Sequence, residues 1–171
     1  MKKSIIEKEK TKKYLKEILG DIILVLLIVF IFTKVVLIGF VSSSSMEPTL
    51  MTGDFVIYNC LSYISGKPQR GDIIVIDYED NGEKLRVTKR VIGLPGENVS
   101  FKDGKVYVDG ELLQEPYLKE NEVTYALKNF NVPLNSYIVL GDNRMNSWDS
   151  RFWDEPYIVE DKIIAKYMWH M

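Results

Sequence analysis

From Ile22 to Phe32 every residue is apolar, and the same character resumes after Thr33 and Lys34 as Val35-Val36-Leu37-Ile38-Gly39-Phe40. Such a run escapes water either in a membrane or inside a large core. A membrane-spanning helix needs about 20 mostly apolar residues. Residues 18–38 supply that length if Asp21 sits at one interface and Lys34 snorkels to the other. Lys2, Lys3, Lys8, Lys10, Lys12, Lys13 and Lys16 precede the run, and a lysine-rich flank stays on the cytoplasmic side. The expectation is a cytoplasmic basic N-terminus over 1–17, a transmembrane anchor over 18–38 and an extracytoplasmic body over 39–171, in a protein of the cell membrane with lipid as a partner. Two other readings remain open on these residues. A cleaved secretory signal would also begin basic and carry a short apolar core, with Ser42-Ser43-Ser44-Ser45 imitating its cleavage site. A buried soluble helix would leave the lysine cluster unexplained.

Charge divides along the same line. Residues 1–40 carry a net charge of +4 and the remainder −6. An acidic body argues against nucleic acid, whose phosphates draw clustered Lys and Arg. The single cysteine, Cys60, cannot form an intramolecular disulfide, and with one histidine, His170, the Cys/His spacings of a zinc site are missing. No metal and no cofactor are expected. A Ser-His-Asp triad would have to recruit His170, one residue from the end of the sequence. Cys60 reads as a small buried residue, since no histidine lies near it in sequence to lower its pKa.

Past Phe40 the pattern becomes one of short β-type runs. Asp54–Tyr58, Asp72–Ile76, Leu85–Ile92, Asn98–Phe101, Lys105–Val108 and Ser136–Leu140 are rich in β-branched and aromatic residues and are separated by glycine-containing turns. Asp103-Gly104 is a strong hairpin signal, and Asn81-Gly82 before Leu85 suggests another. No long amphipathic helix follows residue 41. The body is expected to be mainly β, a compact barrel or packed antiparallel sheets behind the N-terminal transmembrane helix, with turns and edges carrying the site.

Three segments carry chemistry. In Ser42-Ser43-Ser44-Ser45-Met46-Glu47-Pro48, the serines alone would make a polar linker, but Pro48 fixes its own φ and pushes Glu47 towards extended geometry, so the stretch is a rigid turn. In Leu85–Ile92, period two puts Leu85, Val87, Lys89 and Val91 on one face and Arg86, Thr88, Arg90 and Ile92 on the other. Lys89 therefore shares an apolar face. Desolvation there would lower its pKa and free a neutral amine to take a proton from a serine; alternatively its stem lies on the sheet and its head reaches water. Arg86 and Arg90 read as solvent or ion-pair residues. The third segment, Leu140–Arg151, is dense in short polar residues directly after an apolar strand. It is either a solvated turn network with Asp149 and Arg151 paired, or a shell that orients a base by hydrogen bonds.

Together these segments resemble the type I signal peptidases, membrane-bound serine endopeptidases that remove signal peptides from exported bacterial proteins. Ser45-Met46-Glu47-Pro48-Thr49-Leu50 is similar to the family's nucleophile box and Arg70–Val75 to its next strand box. Lys89–Glu97 is similar to the lysine box, and Gly141-Asp142-Asn143-Arg144 with Ser147, Asp149, Ser150 and Arg151 to the last. The resemblance implies Ser45 as nucleophile and Lys89 as general base, with Ser147 hydrogen-bonding the Lys89 amine. It places the oxyanion on the Ser45 N–H and the Ser43 hydroxyl, a position where many members carry glycine. Asp149 with Arg151, and Asp142 with Arg90, take the place of the family's supporting ion pairs. The sequence departs from the family pattern at Asp154, where glycine is common, and at Ala165-Lys166, in place of a glycine-lysine pair. The interval 98–135 is short, which reduces any accessory domain to about a hairpin.

The implied partners are secreted preproteins, cleaved after a small-x-small motif. A signal peptide would bind extended beside a strand edge, with Ile38–Val41 as one wall of the groove, and Trp148, Phe152 and Trp153 would pack in the core or touch lipid. Two alternatives use the same residues: a processing peptidase dedicated to pilus or surface proteins, and a non-catalytic membrane-anchored assembly factor that only binds.

Overall fold

The structure, a computed structural model, describes residues 2–80 and 82–171, apart from the side chains of 2–8, 33 and 80. The chain divides after Val36 into two units.

The first unit is one helix, α1, Lys2–Lys34. Its 33 residues span about 50 Å at 1.5 Å each. Lysines, glutamates and leucines, all good helix formers, carry it, and Lys34 in the last turn complements the helix dipole. The β-branched pair Val35-Val36 then favours extended backbone. Helix therefore begins well before residue 18 and ends before residue 38: the basic flank is helical, and residues 36–38 belong to a strand. Among the described residues no helix is long and apolar enough to cross a membrane. Lys16, Glu17 and Asp21 interrupt the apolar character on one side, and the uninterrupted stretch Ile22–Phe32 is about 16 Å long.

The second unit is built of β-strands. One sheet runs in the order β1 (Val36–Phe40), β2 (Phe55–Asn59), β11 (Ile163–His170), β3 (Ile73–Asp80), β4 (Glu83–Gly93), β9 (Ser136–Leu140), β10 (Ile158–Val159). A smaller sheet has the order β7 (Glu111–Leu112), β6 (Lys105–Val108), β5 (Asn98–Lys102), β8 (Phe130–Asn131). From β2 to β10, and throughout the smaller sheet, neighbours pair antiparallel. Of the two architectures expected, this is packed sheets. The accessory region is also larger than a hairpin: two-residue strands β7 and β8, too short to give a period in sequence, widen β5–β6 to four strands.

Turn chemistry fixes the registers. Asp103 and Gly104 both take positive φ, 51° and 74°, the geometry of a tight hairpin between β5 and β6. The connection from β3 to β4 is equally short, pairing Asp80 with Glu83; Asn81, expected to start that turn, lies outside the described residues.

At its centre the large sheet is buried on both faces. Val91 packs with Ile74, Ile76, Tyr137 and Trp153 in one cluster, while its neighbour Ile92 packs with Val99, Val106, Phe130 and Leu140 in another that joins the two sheets. β4 is thus a central strand with apolar layers on either side. A polar residue on it must be partnered locally, and Lys89 and Arg90 stand there side by side.

Candidate active site

Ser45 lies in a single 3-10 turn, Ser44–Met46, between extended Ser43 (φ −139°, ψ 156°) and extended Glu47 (φ −64°, ψ 141°). Met46 and Leu50 anchor this turn in the core at 2 % and 0 % exposure. The Glu47–Pro48 peptide is cis. The loop that follows β9 clamps the turn from the other side. Asn143 donates its backbone N–H to the Ser45 carbonyl at 3.1 Å and its side-chain amide to the Ser44 carbonyl at 3.1 Å, and Asn146 donates to Ser44 Oγ at 2.6 Å. The serine run is therefore a fixed turn and not a linker. Gly141 is required for this approach, because a Cβ there would overlap Ser147 Oγ and the Ser45 carbonyl oxygen.

Lys89 comes from the middle of β4, where it pairs with Ile74. Its Nζ is 2.8 Å from Ser45 Oγ, and Ser43 Oγ donates to the same oxygen at 3.4 Å. Lys89 is only 4 % exposed. Of the two readings of this lysine, the buried one holds: the head stays in the pocket, bonded to Ser45. Burial disfavours the ammonium and lowers its pKa to about 8; Asp149 and Asp142 oppose the shift and Arg151 adds to it. A lysine so placed supplies neutral amine at near-neutral pH, which exposed lysines do not.

Arg90, on the opposite face of β4, donates to Asp142 at 2.8 and 2.6 Å and to the Gly71 carbonyl at 2.8 Å. It is 8 % exposed, so it is a buried ion-pair residue and not a solvent-facing one. Asp149 and Arg151 form a second buried pair, with two bonds of 2.8 Å, and Asp149 also accepts from the Gly141 N–H at 2.9 Å. That bond holds the start of the loop in place. Ser150, fully buried, accepts from the Val139 N–H at 3.1 Å and donates to the Pro156 carbonyl at 2.7 Å.

Ser147 lies where expected but does not make the expected bond. Its Oγ is buried without a hydrogen-bond partner among the described residues, while the Lys89 amine is engaged by Ser45. Both residues line one cavity of about 610 Å³ with Ser43, Ser45 and Asn146. Its remaining walls are apolar: Tyr78, Leu85, Val87, Met145, Trp148, Phe152 and Trp153. Ile38–Val41, the expected wall, is not among these residues. The aromatic cluster splits. Trp153 is core, stacked on Tyr78 at 4.0 Å, whereas Trp148 is 58 % exposed and stacks on Phe152 at 5.6 Å.

His170 bonds Tyr167 at 2.7 Å and does not line the cavity. Cys60 is half-buried beside a core cluster. Among the described residues no cluster of His, Cys, Asp or Glu could hold a metal ion. The clamping role of Asn143 and Asn146, and the partners Glu115 and Tyr117 described below, went unassigned in the sequence. Asn-rich turns are a weak signal, and Glu115 and Tyr117 sit in a segment without periodicity.

The family model for signal peptidase, peptidase S26, matches residues 11–171. A probable signal peptidase I-2 of Synechocystis sp. is 38 % identical over 146 residues, 83 % of this chain and 66 % of that protein's length. Signal peptidase I T of Bacillus subtilis is 38 % identical over 92 % of this chain and 85 % of its own length. A crystal structure of a signal peptidase I from Enterococcus faecalis is 34 % identical and covers 60 % of this chain and 97 % of its own, with a TM-score of 0.49. With the family match running across the whole β unit and relatives above 30 % identity over most of their length, the chain belongs to the signal peptidase family, peptidase S26, and is a serine endopeptidase of that family.

Proposed function

We propose that this chain removes N-terminal signal peptides from exported preproteins, cutting after a small-x-small motif with Ser45 as nucleophile and Lys89 as general base. The observation that supports it most is the 2.8 Å separation of Ser45 Oγ and Lys89 Nζ in a pocket where the ammonium is disfavoured. Neutral Nζ accepts the Ser45 proton as Oγ attacks the scissile carbonyl carbon. The developing oxyanion is held by the Ser45 N–H and by the Ser43 hydroxyl, which turns away from Ser45 Oγ to donate to it. Collapse breaks the C–N bond, the Lys89 ammonium protonates the leaving amine, and the mature protein departs. Water, deprotonated by the regenerated amine, then attacks the acyl-enzyme and frees the signal peptide. Ser147, on the wall of the same cavity, is the hydroxyl proposed to orient the amine through these transfers, and the pairs Asp142–Arg90 and Asp149–Arg151 hold the strand and loop that carry these groups.

The test is incubation of the purified full-length protein with a preprotein bearing a small-x-small site, followed by sequencing of the product N-terminus. Cleavage at that site is expected, with kcat/KM rising about tenfold per pH unit below about pH 8 and levelling above it, as Lys89 loses its proton. A profile flat from pH 6 to 9, or one set by a group titrating near pH 6, contradicts a lysine base. No cleavage of any preprotein, together with tight binding to a pilin-like partner, favours the assembly factor instead.

We further propose that α1 tethers the catalytic unit to the membrane, with the basic flank cytoplasmic and the catalytic unit outside. Ile22–Phe32 presents apolar side chains all round, 43–64 % exposed, which suits lipid better than water. A span from Ile18 to Lys34 would cover about 25 Å, with Asp21 and Lys34 near the two interfaces. Protein in isolated membranes should then resist extraction at alkaline pH; quantitative release rules the anchor out.

A further inference from the structure

Between β7 and β8, residues 113–129 form neither helix nor strand, yet they supply much of what holds the loop of the site. Arg144, in that loop, has a side chain with 0 % exposure. Its guanidinium donates to both carboxylate oxygens of Glu115, to Thr124 Oγ1 at 2.7 Å and, through Nε, to the Gly141 carbonyl at 3.0 Å. Glu122 accepts the Met145 N–H at 3.1 Å. Tyr117 donates its hydroxyl to Glu115 at 2.7 Å, and its ring lies under the Arg90 guanidinium at 3.8 Å. Tyr117 thus ties together two buried cations, Arg144 of the loop and Arg90, the neighbour of Lys89 on β4. The segment is itself fixed to the smaller sheet, where Leu113 N–H donates to Val106 at 2.9 Å and Thr124 N–H to Gly104 at 2.8 Å.

We infer that residues 113–129 act as a strap bracing the active-site loop, with Glu115 and Tyr117 as positioning residues that fix Arg144 and Arg90 and thereby the walls around Lys89. The inference rests on the Ser45–Lys89 reading. Burial works against the Arg144 charge, but the hydrogen bond and charge of Glu115 outweigh it, and the net direction of its pKa is upward. Without Glu115 a buried cation would stand unpaired, so the loop must move to hydrate it. Met145, Asn146 and Ser147, which line the cavity, move with that loop. More water then reaches Lys89 and its ammonium becomes easier to form. The other charges that act on Lys89, Asp149, Arg151 and Asp142, lie on the same loop or just after it, so loosening weakens both controls together.

The test uses the full-length protein with Glu115→Gln and Tyr117→Phe, each assayed for thermal unfolding, kcat, KM and the pH dependence of kcat/KM. Glu115→Gln is expected to lower kcat on the order of 10- to 100-fold, the size that follows from misplacing a reacting group by about 1 Å, with KM little changed. The apparent pKa of its rate profile should rise by about 0.5–1 as desolvation is relieved. Tyr117→Phe keeps the ring under Arg90 and removes only the hydroxyl, for an expected loss in kcat of about 3- to 10-fold in the same direction of pKa. If Glu115→Gln is merely less heat-stable, with the parent's kcat and apparent pKa at a temperature where it is folded, the brace is overturned. Should that variant fail to fold, Tyr117→Phe decides: parent-like kcat and profile overturn the inference, and a lowered kcat with a raised apparent pKa supports it. Ser45→Ala in parallel separates the two levels. Persisting cleavage in Ser45→Ala sinks the dyad, whereas an inactive Ser45→Ala beside unaffected Glu115 and Tyr117 variants sinks the strap alone.

Discussion

Ser45→Ala is expected to lower kcat for preprotein cleavage by about 10⁴- to 10⁶-fold, with a melting temperature within a few degrees of the parent's. On the proposed mechanism the hydroxyl's reactivity comes from its place beside Lys89 Nζ at 2.8 Å, and among the described residues no other hydroxyl is bonded to that amine. Ser43 is next in line, yet it is bonded to Ser45 Oγ and not to the amine. A substitution there by alanine should therefore cost less than the loss of Ser45. What remains in Ser45→Ala is binding and oxyanion stabilisation, which alone give only modest rates. The fold should survive because the turn is held by Met46, Leu50, Asn143 and Asn146, none of which needs the Ser45 hydroxyl. Single-turnover cleavage measured with thermal unfolding decides it: activity within tenfold of the parent would remove Ser45 from the chemistry.

Lys89→Met is expected to abolish cleavage and, at pH 6, to stabilise the folded chain by about 3 kcal/mol. The sign follows from where the proton sits. Lys89 titrates at about 8 in the folded protein against 10.5 ordinarily. Below about pH 8 both states hold the proton, and the folded state bears the full cost of a buried ammonium. Between about 8 and 10.5 the unfolded chain binds more protons, so stability rises with pH, and above that range the cost is gone. Methionine has similar length and no charge to desolvate. The gain should therefore fade as pH climbs through this window, a trend that urea titrations at pH 6, 8 and 10 can follow. An equally stable or weaker variant at pH 6 would show that the site does not disfavour the ammonium. That outcome would set activity against stability at this position, as happens where function requires an unfavourable burial.

How much of this was legible depends on the segment. Period two in Leu85–Ile92 was enough to place Lys89 with Leu85 and Val87, all of which line the cavity. Asp103-Gly104 named its own hairpin. Arg90 was harder: alternation gave its face, but the partner layer that buries it, Asp142 and Tyr117, comes from distant parts of the chain. Val36–Phe40 resumes the apolar run after only Thr33 and Lys34, so the span expected over 18–38 took in the start of a strand. β11 escaped because its pairing with β2 and with β3 shifts register, which breaks simple alternation. Glu115 and Tyr117 lie in a segment with no period at all, and only tertiary structure shows that they face two buried arginines.

β11 has a consequence of its own. It is the last strand in the chain and sits in the sheet's interior, between β2 and β3. The strand that follows the serine turn and the strand pair that carries the lysine are not neighbours in the sheet, although the Tyr58 and Thr88 hydroxyls bond across at 2.9 Å; residues 163–170 are the seam between them. Within this sheet the ladder from the serine side to the lysine side runs through residues 163–170, so the register of that one strand sets how the two sides are spaced.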